Sequence, residues 1–295
     1  MENKKLVKAK DISVIIPLYK TPIHQLEKFK QYHGLRLFFL SQEPDSCEKK
    51  YLKKILKKNF TYYTINKNIG LARASNFLLS KVKTKYCLFT QADVEINFNS
   101  IILLKLALIN NKDFILSNPR FVKKIYHKKI TLKKKIRIKK KNNFNAACFL
   151  FDVSKMKKLG FFDEDFFLYW EDIFLLKKLL INQHQILYVK DALAVHESAR
   201  STKFTFKIFC IRRLNFKFGE YLYDYKLKKF RFIKILRDIL TSPIYLITYL
   251  FTFQFKKFLI KLLNLLGILK FILFYIKKKK ITKINEKEVL NLIIV

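Results

Sequence analysis

The chain has 295 residues, is 51% hydrophobic and 16% aromatic, and carries 61 Lys and Arg against 22 Asp and Glu, a formal charge of +39. That apolar content excludes a disordered tail and can fill one large or two modest cores. The charge calls for an anionic neighbour (nucleic acid, anionic lipid or a phosphorylated substrate) or reflects a habit of lysine use along the whole chain. Cys47, Cys87, Cys148 and Cys210 lie far apart with no CxxC pair, which excludes a zinc or disulfide framework and reads as reduced thiols of a cytosolic protein. The opening MENKKLVKAKD has charge but no apolar h-region, so no secretory signal is expected.

In chain order, ISVIIPL (12–18), LRLFFL (35–40), YCLFT (86–90) and FILSN (114–118) are short apolar runs that predict strands. Between them, KKYLKKILKK (49–58) and IGLARASNFLLSKV (69–82) repeat apolar residues at helical spacing. Strands apolar on both faces and separated by helices predict a mostly parallel sheet covered on both sides, with ligands at the carboxyl ends of the strands. Residues 121–143, FVKKIYHKKITLKKKIRIKKKNN, break this order. They read as a solvated loop or as a flap that meets a phosphate or a lipid head group.

From about residue 203 the texture turns to Phe, Leu, Ile and Lys with hardly any acid. The uncharged run ILTSPIYLITYLFTFQF (239–255) contains Pro243 and is shorter than the roughly 20 residues that cross a bilayer. In FKKFLIKLLNLLGILKFILFYI (255–276), Lys257, Lys261 and Asn264 share one side of a helix opposite a wide apolar face. That pattern fits a helix lying in a membrane interface, or a helix folded onto the rest of the protein as core.

Three separated stretches carry candidate chemistry. In NIGLARASN, residues Asn68, Gly70, Ala72, Ala74 and Asn76 alternate small and amide side chains at a helix start. Such a start admits a ligand close to the backbone where a helix N-terminus favours phosphate, or is an ordinary capped helix. In QADVE, Asp93 follows a strand, with Glu95 two residues on; carboxylates there hold a hard cation such as Mg2+ or Mn2+, or face solvent in a turn. In GFFDEDFFLYWEDIF (160–174), five carboxylates lie among seven aromatic rings. The rings would wall a pocket in which Glu171 and Asp172 project, and a carboxylate in such surroundings works as a general base. Further on, VHESARST supplies His196 as a metal ligand or a structural histidine.

The order and spacing of these stretches resemble glycosyltransferase family 2, especially its rhamnosyltransferase-like members that build bacterial surface polysaccharides, over roughly residues 11–202. ISVIIPLYK is similar to the family's first strand and turn, NIGLARASN to its N-x-G-x-A-x-A-x-N helix start, and QADV to the end of its metal-binding strand. NAACFLFDVSKMKKLGFFDEDFFLYWEDIFLLKKL is similar to the acceptor-side segment ending in a Glu-Asp pair, and VHESARS to the late histidine motif. The resemblance implies a GT-A-type, Rossmann-like α/β catalytic domain with a mostly parallel sheet over residues 1–202. Residues 203–295 are then a basic, amphipathic, helical membrane-associating region.

The resemblance also implies roles. A dTDP- or UDP-sugar donor would be bound by Pro17, Tyr19, Asn68, Gly70, Arg73, Asn76, Gln91 and Asp93, and Mg2+ or Mn2+ by Asp93 and His196, with Glu95. Asp172 would be the base that takes a proton from an acceptor hydroxyl, with inversion at the anomeric carbon. Glu171 and Asp163 would orient the acceptor and Trp170 would stack on a sugar face. The implied acceptor is a polyprenyl-diphosphate-linked saccharide at the cytoplasmic face of the inner membrane. The basic, apolar C-terminal region would dock the protein peripherally on that face, and the lysines of residues 123–141 and of the tail would help capture the anionic lipid.

This chain departs from the pattern in three places. The paired-acid metal motif aligns as Gln91-Ala92-Asp93 or as Asp93-Val94-Glu95. Ser41 and Gln42 stand where the family has a base-reading Asp, with Asp45 as the substitute, and Phe174 stands where a further Asp follows the Glu-Asp pair. A catalytically degenerate membrane scaffold therefore stays open beside the enzyme. A basic nucleic-acid binder is a third class; its partner is not expected here, because the aromatics gather around acid, which repels phosphate.

Overall fold

A computed structural model describes residues 9–32, 34–57, 59–124, 136–198, 200–277 and 290–294. ISVIIPLY forms strand β1 (Ile12–Tyr19), buried at every position but the last. Burial on both faces is why it reads as an unbroken apolar run instead of an alternation. Then follow α1 (Ile23–Leu26), β2 (Arg36–Gln42), α2 (Ser46–Leu56), β3 (Phe60–Ile65), α3 (Leu71–Lys81) and β4 (Tyr86–Thr90). The chain continues through β5 (Val94–Ile96), α4 (Phe98–Asn110), β6 (Leu116–Phe121), β7 (Ile138–Lys141), β8 (Cys148–Asp152), α5 (Val153–Leu159), α6 (Glu171–Ile181) and β9 (Ile186–His196). The last elements are α7 (Phe206–Lys226), α8 (Phe232–Phe251), α9 (Phe255–Lys277) and β10 (Leu290–Ile294).

The strands form one sheet in the order β10-β3-β2-β1-β4-β8-β6-β9-β5, with β7 also on β9. β3, β2, β1 and β4 are mutually parallel, as are β6 and β9. β8 runs against β4 and β6, and β5, β7 and β10 run against their neighbours. Tracing direction across these ladders sets β1, β2, β3, β4, β6 and β9 one way and the other four strands the opposite way. The expected Rossmann-like, mostly parallel α/β sheet is what this chain forms. Strand order departs in two directions from β1, toward β2 and toward β4, which makes the carboxyl ends of β1 and β4 a topological switch point. β4 pairs β1 only over Ile12–Ile15, so Pro17 lies beyond that ladder while still in register with Leu40 of β2.

The chain divides into two units. The first comprises Met1–Phe161, Leu175–Lys203 and Ile284–Val295, and the second Phe162–Phe174 and Phe204–Lys283. The expected boundary falls after residue 202; the second unit takes in α7 and, with it, the acidic, aromatic segment Phe162–Phe174. The tail is also not helical throughout, because β10 lies antiparallel on β3. Of the lysine-rich stretch 121–143, residues 125–135 lie outside the described residues, while Ile138–Lys141 is a strand paired with β9.

In the second unit the core is Phe166, Phe218, Tyr221, Leu222, Ile235, Ile268 and Phe271. A Cβ at Gly267 would stand 2.7 Å from the Leu214 carbonyl oxygen; only glycine lets α9 approach the α7 backbone this closely. α9 is long and apolar enough, by length and composition, to cross a membrane, yet Leu263, Ile268 and Phe271 are buried on its packed side.

Candidate active-site residues

In the first unit, β4 ends at Thr90 and turns through Gln91, Ala92 and Asp93. The Gln91 N–H donates to the Ala147 carbonyl (2.9 Å) and the Val94 N–H to the Gln91 carbonyl (3.2 Å), which fixes the turn. Asp93 is 1% exposed. Its Oδ2 accepts the Arg200 N–H at 3.0 Å, and its carbonyl accepts the Glu197 N–H at 3.0 Å. Its Oδ1 has no hydrogen-bond donor among the described residues and lies 3.6 Å from Nε2 of His196, the last residue of β9. Burial pushes the Asp93 carboxyl up, but His196 and the backbone N–H groups of Arg200 and Ser201 outweigh it and hold the pKa below the ordinary Asp value. The result is a buried carboxylate anion with one free oxygen facing an imidazole.

A hard oxygen beside an imidazole nitrogen is a donor set that fits Mg2+ or Mn2+. Among the described residues no group of three His, Cys, Asp or Glu could hold a metal. Mg2+ commonly takes one or two protein ligands and completes its shell with substrate phosphates and water, so Asp93 and His196 fit an ion completed by a diphosphate.

Glu95 does not join them. Val94 pairs with His196 and Glu95 with Val195 across the β5–β9 ladder, and side chains alternate faces along a strand. The Glu95 charge instead acts on buried Tyr32, whose hydroxyl pKa is raised first by burial. The Asp93-Val94-Glu95 alignment thus fails as a ligand pair, and Gln91-Ala92-Asp93 leaves one acid.

The expected nucleotide-binding residues lie at the same carboxyl ends of the sheet. Tyr19 ends β1 and Lys20 follows with a φ of 46°; its ammonium pairs with Glu43, just past β2, at 2.9 Å. Gln42, in the place of the expected base-reading acid, is buried and clamps the backbone: its Oε1 accepts the Ile69 N–H at 2.8 Å. Asn68 Oδ1 accepts the Gly70 N–H at 3.0 Å, and Gly70, with a φ of 87°, caps α3. Arg73 and Asn76 sit one turn apart on α3, both half-buried. Asp45, the proposed substitute, is occupied as the N-cap of α2, accepting the Cys47 N–H at 3.0 Å.

Glu197 was missed at the sequence level. It accepts from Lys28 Nζ (3.0 Å) and Gln25 Nε2 (3.2 Å), tying the segment after β9 to the helix after β1. The only signal was its place beside His196 in VHESARST.

In the second unit, Tyr169 and Trp170 both have left-handed backbones, with φ of 68° and 70°. Such non-glycine residues cost roughly 1–3 kcal/mol each and cluster at functional sites. They deliver the chain into α6, which opens on Glu171 and Asp172. Glu171 is 5% exposed, and its Oε2 has no donor among the described residues. Burial, reinforced by the Asp172 charge, pushes its pKa up to about 8. Asp172 is half-buried and also raised by burial, opposed by the N–H of Ile173, which donates to its Oδ1 at 2.8 Å. Burial thus raises both adjacent carboxyls: at neutral pH Glu171 is largely protonated, while Asp172 is the more exposed member of the pair.

The other acceptor-side residues are occupied. Asp163 and Asp165 both pair with Lys226 of α7, at 2.9 and 2.6 Å. The Trp170 indole N–H donates to the Phe216 carbonyl at 2.9 Å, and the ring packs on Phe216 and Tyr223. A Cβ at Gly219 would lie 2.6 Å from the Trp170 ring. In this structure Asp163 and Trp170 fasten the segment to α7 instead of presenting free groups to a sugar.

No family model matches the chain, and no curated protein is similar to it. Among solved structures 280 chains match. One is GalNAc-T7, solved with UDP, GalNAc and Mn2+, at 12% identity and a TM-score of 0.49. The match covers 63% of this chain and 42% of that one; this chain therefore spans less than half of that protein's length.

Proposed function

We propose that the protein is an inverting, metal-dependent glycosyltransferase that moves a sugar from a nucleotide-sugar to an acceptor hydroxyl. The observation that carries this reading is the buried Asp93 carboxylate, with its free oxygen 3.6 Å from His196 Nε2, beside the switch point where α/β sheets take nucleotides. A bound Mg2+ or Mn2+ would neutralise charge developing on the departing nucleoside diphosphate. The lysine at Lys20 and the start of α3 add donors for the same diphosphate.

Asp172 supplies the proton acceptor. As an acceptor hydroxyl oxygen bonds to the anomeric carbon from the face opposite the diphosphate, its proton passes to the Asp172 carboxylate. In the same step the bond from the anomeric carbon to the diphosphate oxygen breaks, its electron pair leaving with the diphosphate, and the configuration inverts. Glu171, largely protonated at neutral pH, donates a hydrogen bond and adds no second negative charge.

At finer grain, the donor is a dTDP-sugar such as dTDP-rhamnose, or a UDP-sugar. The acceptor is a polyprenyl-diphosphate-linked saccharide at the cytoplasmic face of the inner membrane, in surface polysaccharide synthesis. The test is donor hydrolysis and transfer by purified protein with Mn2+ or Mg2+, read as released diphosphate, beside Asp172→Asn. Turnover of one donor, with the variant losing about 10²–10⁴-fold in rate but still binding nucleotide, supports the reading.

Gln91 in place of a second acid, with Asp93 and His196 the two potential ligands there among the described residues, favours one competing reading: a scaffold that keeps the fold without turnover. Failure of every donor to bind under either metal would establish it and sink the transferase.

A further inference from the structure

The large apolar side chains left exposed are concentrated in the second unit, and α8 gathers them on one face. Ile233, Leu236, Leu240, Ile244, Ile247 and Phe251 follow one another at three- and four-residue steps, which places them on a single side of the helix. Each is between 46% and 77% exposed, while Ile235 and Ser242 on the opposite side are buried. The turn into α9 continues the stripe with Phe253 and Phe255, 78% and 61% exposed. Monomeric proteins rarely leave so continuous an apolar patch uncovered.

Charge says what covers it. Arg231 stands at the start of α8, and Lys256 and Lys257 stand just past its end; all three are exposed, and none has an ion-pair partner among the described residues. By contrast Lys234 and Arg237, within the helix, are paired with Glu220, Asp224 and Asp238. Uncompensated cations therefore bracket both ends of the stripe. A second copy docked through this face about a two-fold axis would set these cations against one another. Anionic lipid head groups would neutralise them, and the protruding side chains suit a flat interface.

We propose that α8 is an in-plane membrane anchor: its Ile233–Phe251 face and the Phe253/Phe255 tip sink into the acyl boundary of an anionic phospholipid bilayer, with Arg231, Lys256 and Lys257 on the head groups. At the sequence level residues 255–276 held this role. In the structure α9 instead gives one side to the packing against α7, and α8 carries the longer exposed stripe. The inference stands without the sugar-transfer reading, since no α8 residue has a part in that chemistry.

The experiment is co-sedimentation of the full chain with phosphatidylglycerol-containing and with pure phosphatidylcholine vesicles, beside the triple variant L240D/I244D/I247D. These positions are exposed, so the variant keeps its fold, checked by near-UV circular dichroism. Wild type should bind the anionic vesicles and be released by high salt or alkaline carbonate. The variant should bind about 100-fold more weakly, while nucleotide binding is unchanged. Equal vesicle binding by the two proteins overturns the proposal. So does binding that resists carbonate in both, which would mean α9 spans the bilayer. A wild-type dimer that the variant converts to monomer, with neither binding vesicles, overturns it in favour of a second copy. Asp172→Asn should leave vesicle binding intact, so failure of the anchor and failure of the transferase are read separately.

Discussion

Asp93 in the first unit and Glu171 in the second are both buried carboxyls with one oxygen unmatched by any described donor, yet their proton affinities move in opposite directions. Burial pushes both up. Asp93 has a histidine and two backbone N–H groups to hold its charge, so the anion wins. Glu171 has Asp172 beside it and no ion pair among the described residues, so the neutral acid wins. Equal burial therefore produces two different chemical tools, a pre-ionised ligand and a proton-holding neighbour, and the partner set decides which.

The Asp93 charge is the point of this opposition most vulnerable to mutation. Asp93→Asn keeps the shape but removes the charge; metal-dependent nucleotide binding should vanish and transfer should fall about 10³-fold. Calorimetric titration with and without Mn2+ checks this, and a variant that still needs and binds the metal would remove Asp93 from the site.

Glu171→Gln probes the other side through pH. The folded-state pKa is raised from 4.5 to about 8, so the stability Glu171 contributes is fully present below pH 4.5 and is lost as pH rises through about 8. Glutamine mimics the protonated form and should abolish that loss, leaving the variant more stable than wild type at pH 9 by on the order of 5 kcal/mol. Urea melts of both proteins from pH 5 to 9 measure it. Parallel curves would mean that Glu171 titrates as an ordinary glutamate.

Smaller effects test the frame around the second carboxyl. Gly219→Ala drives a methyl into the Trp170 ring and should cost about 1–3 kcal/mol. Trp170 is the only tryptophan, so its emission should shift in the same variant; an unshifted spectrum at full stability would argue against this packing. Asp163→Asn leaves Asp165 on Lys226, and a loss of about 1 kcal/mol or less is expected from thermal melts. A much larger loss would show the two aspartates acting as one buried unit.

Much of the first unit was legible beforehand, and the reason differs by element. β1 and β4 are buried on both faces and so read as unbroken apolar runs; α3 announces itself by Gly70 and its small residues. β3, FTYYTI, was overlooked because Thr and Tyr dilute its apolar signal, and β10 because it lies in a lysine-rich tail and gains its strand state by pairing with β3. Asp93, His196, Glu171 and Asp172 could be picked out as candidates from their motifs alone. Glu95 was misjudged because its face depends on the β5–β9 register. Asp163 and Trp170 were misjudged because their partners lie on α7, far along the chain.

What the sequence determined by itself was local: the alternation of strands and helices, the caps, the acid-and-ring segment, and an apolar, basic tail. Burial and capping leave their marks in neighbouring residues, so short windows suffice. Only the tertiary structure decided that Asp93 meets His196 while Glu95 turns away, that Gln42 is a clamp, and that α8 keeps its apolar face uncovered. Those outcomes depend on strand register and helix packing between distant segments, where a one-residue slip would send every side chain to the other face.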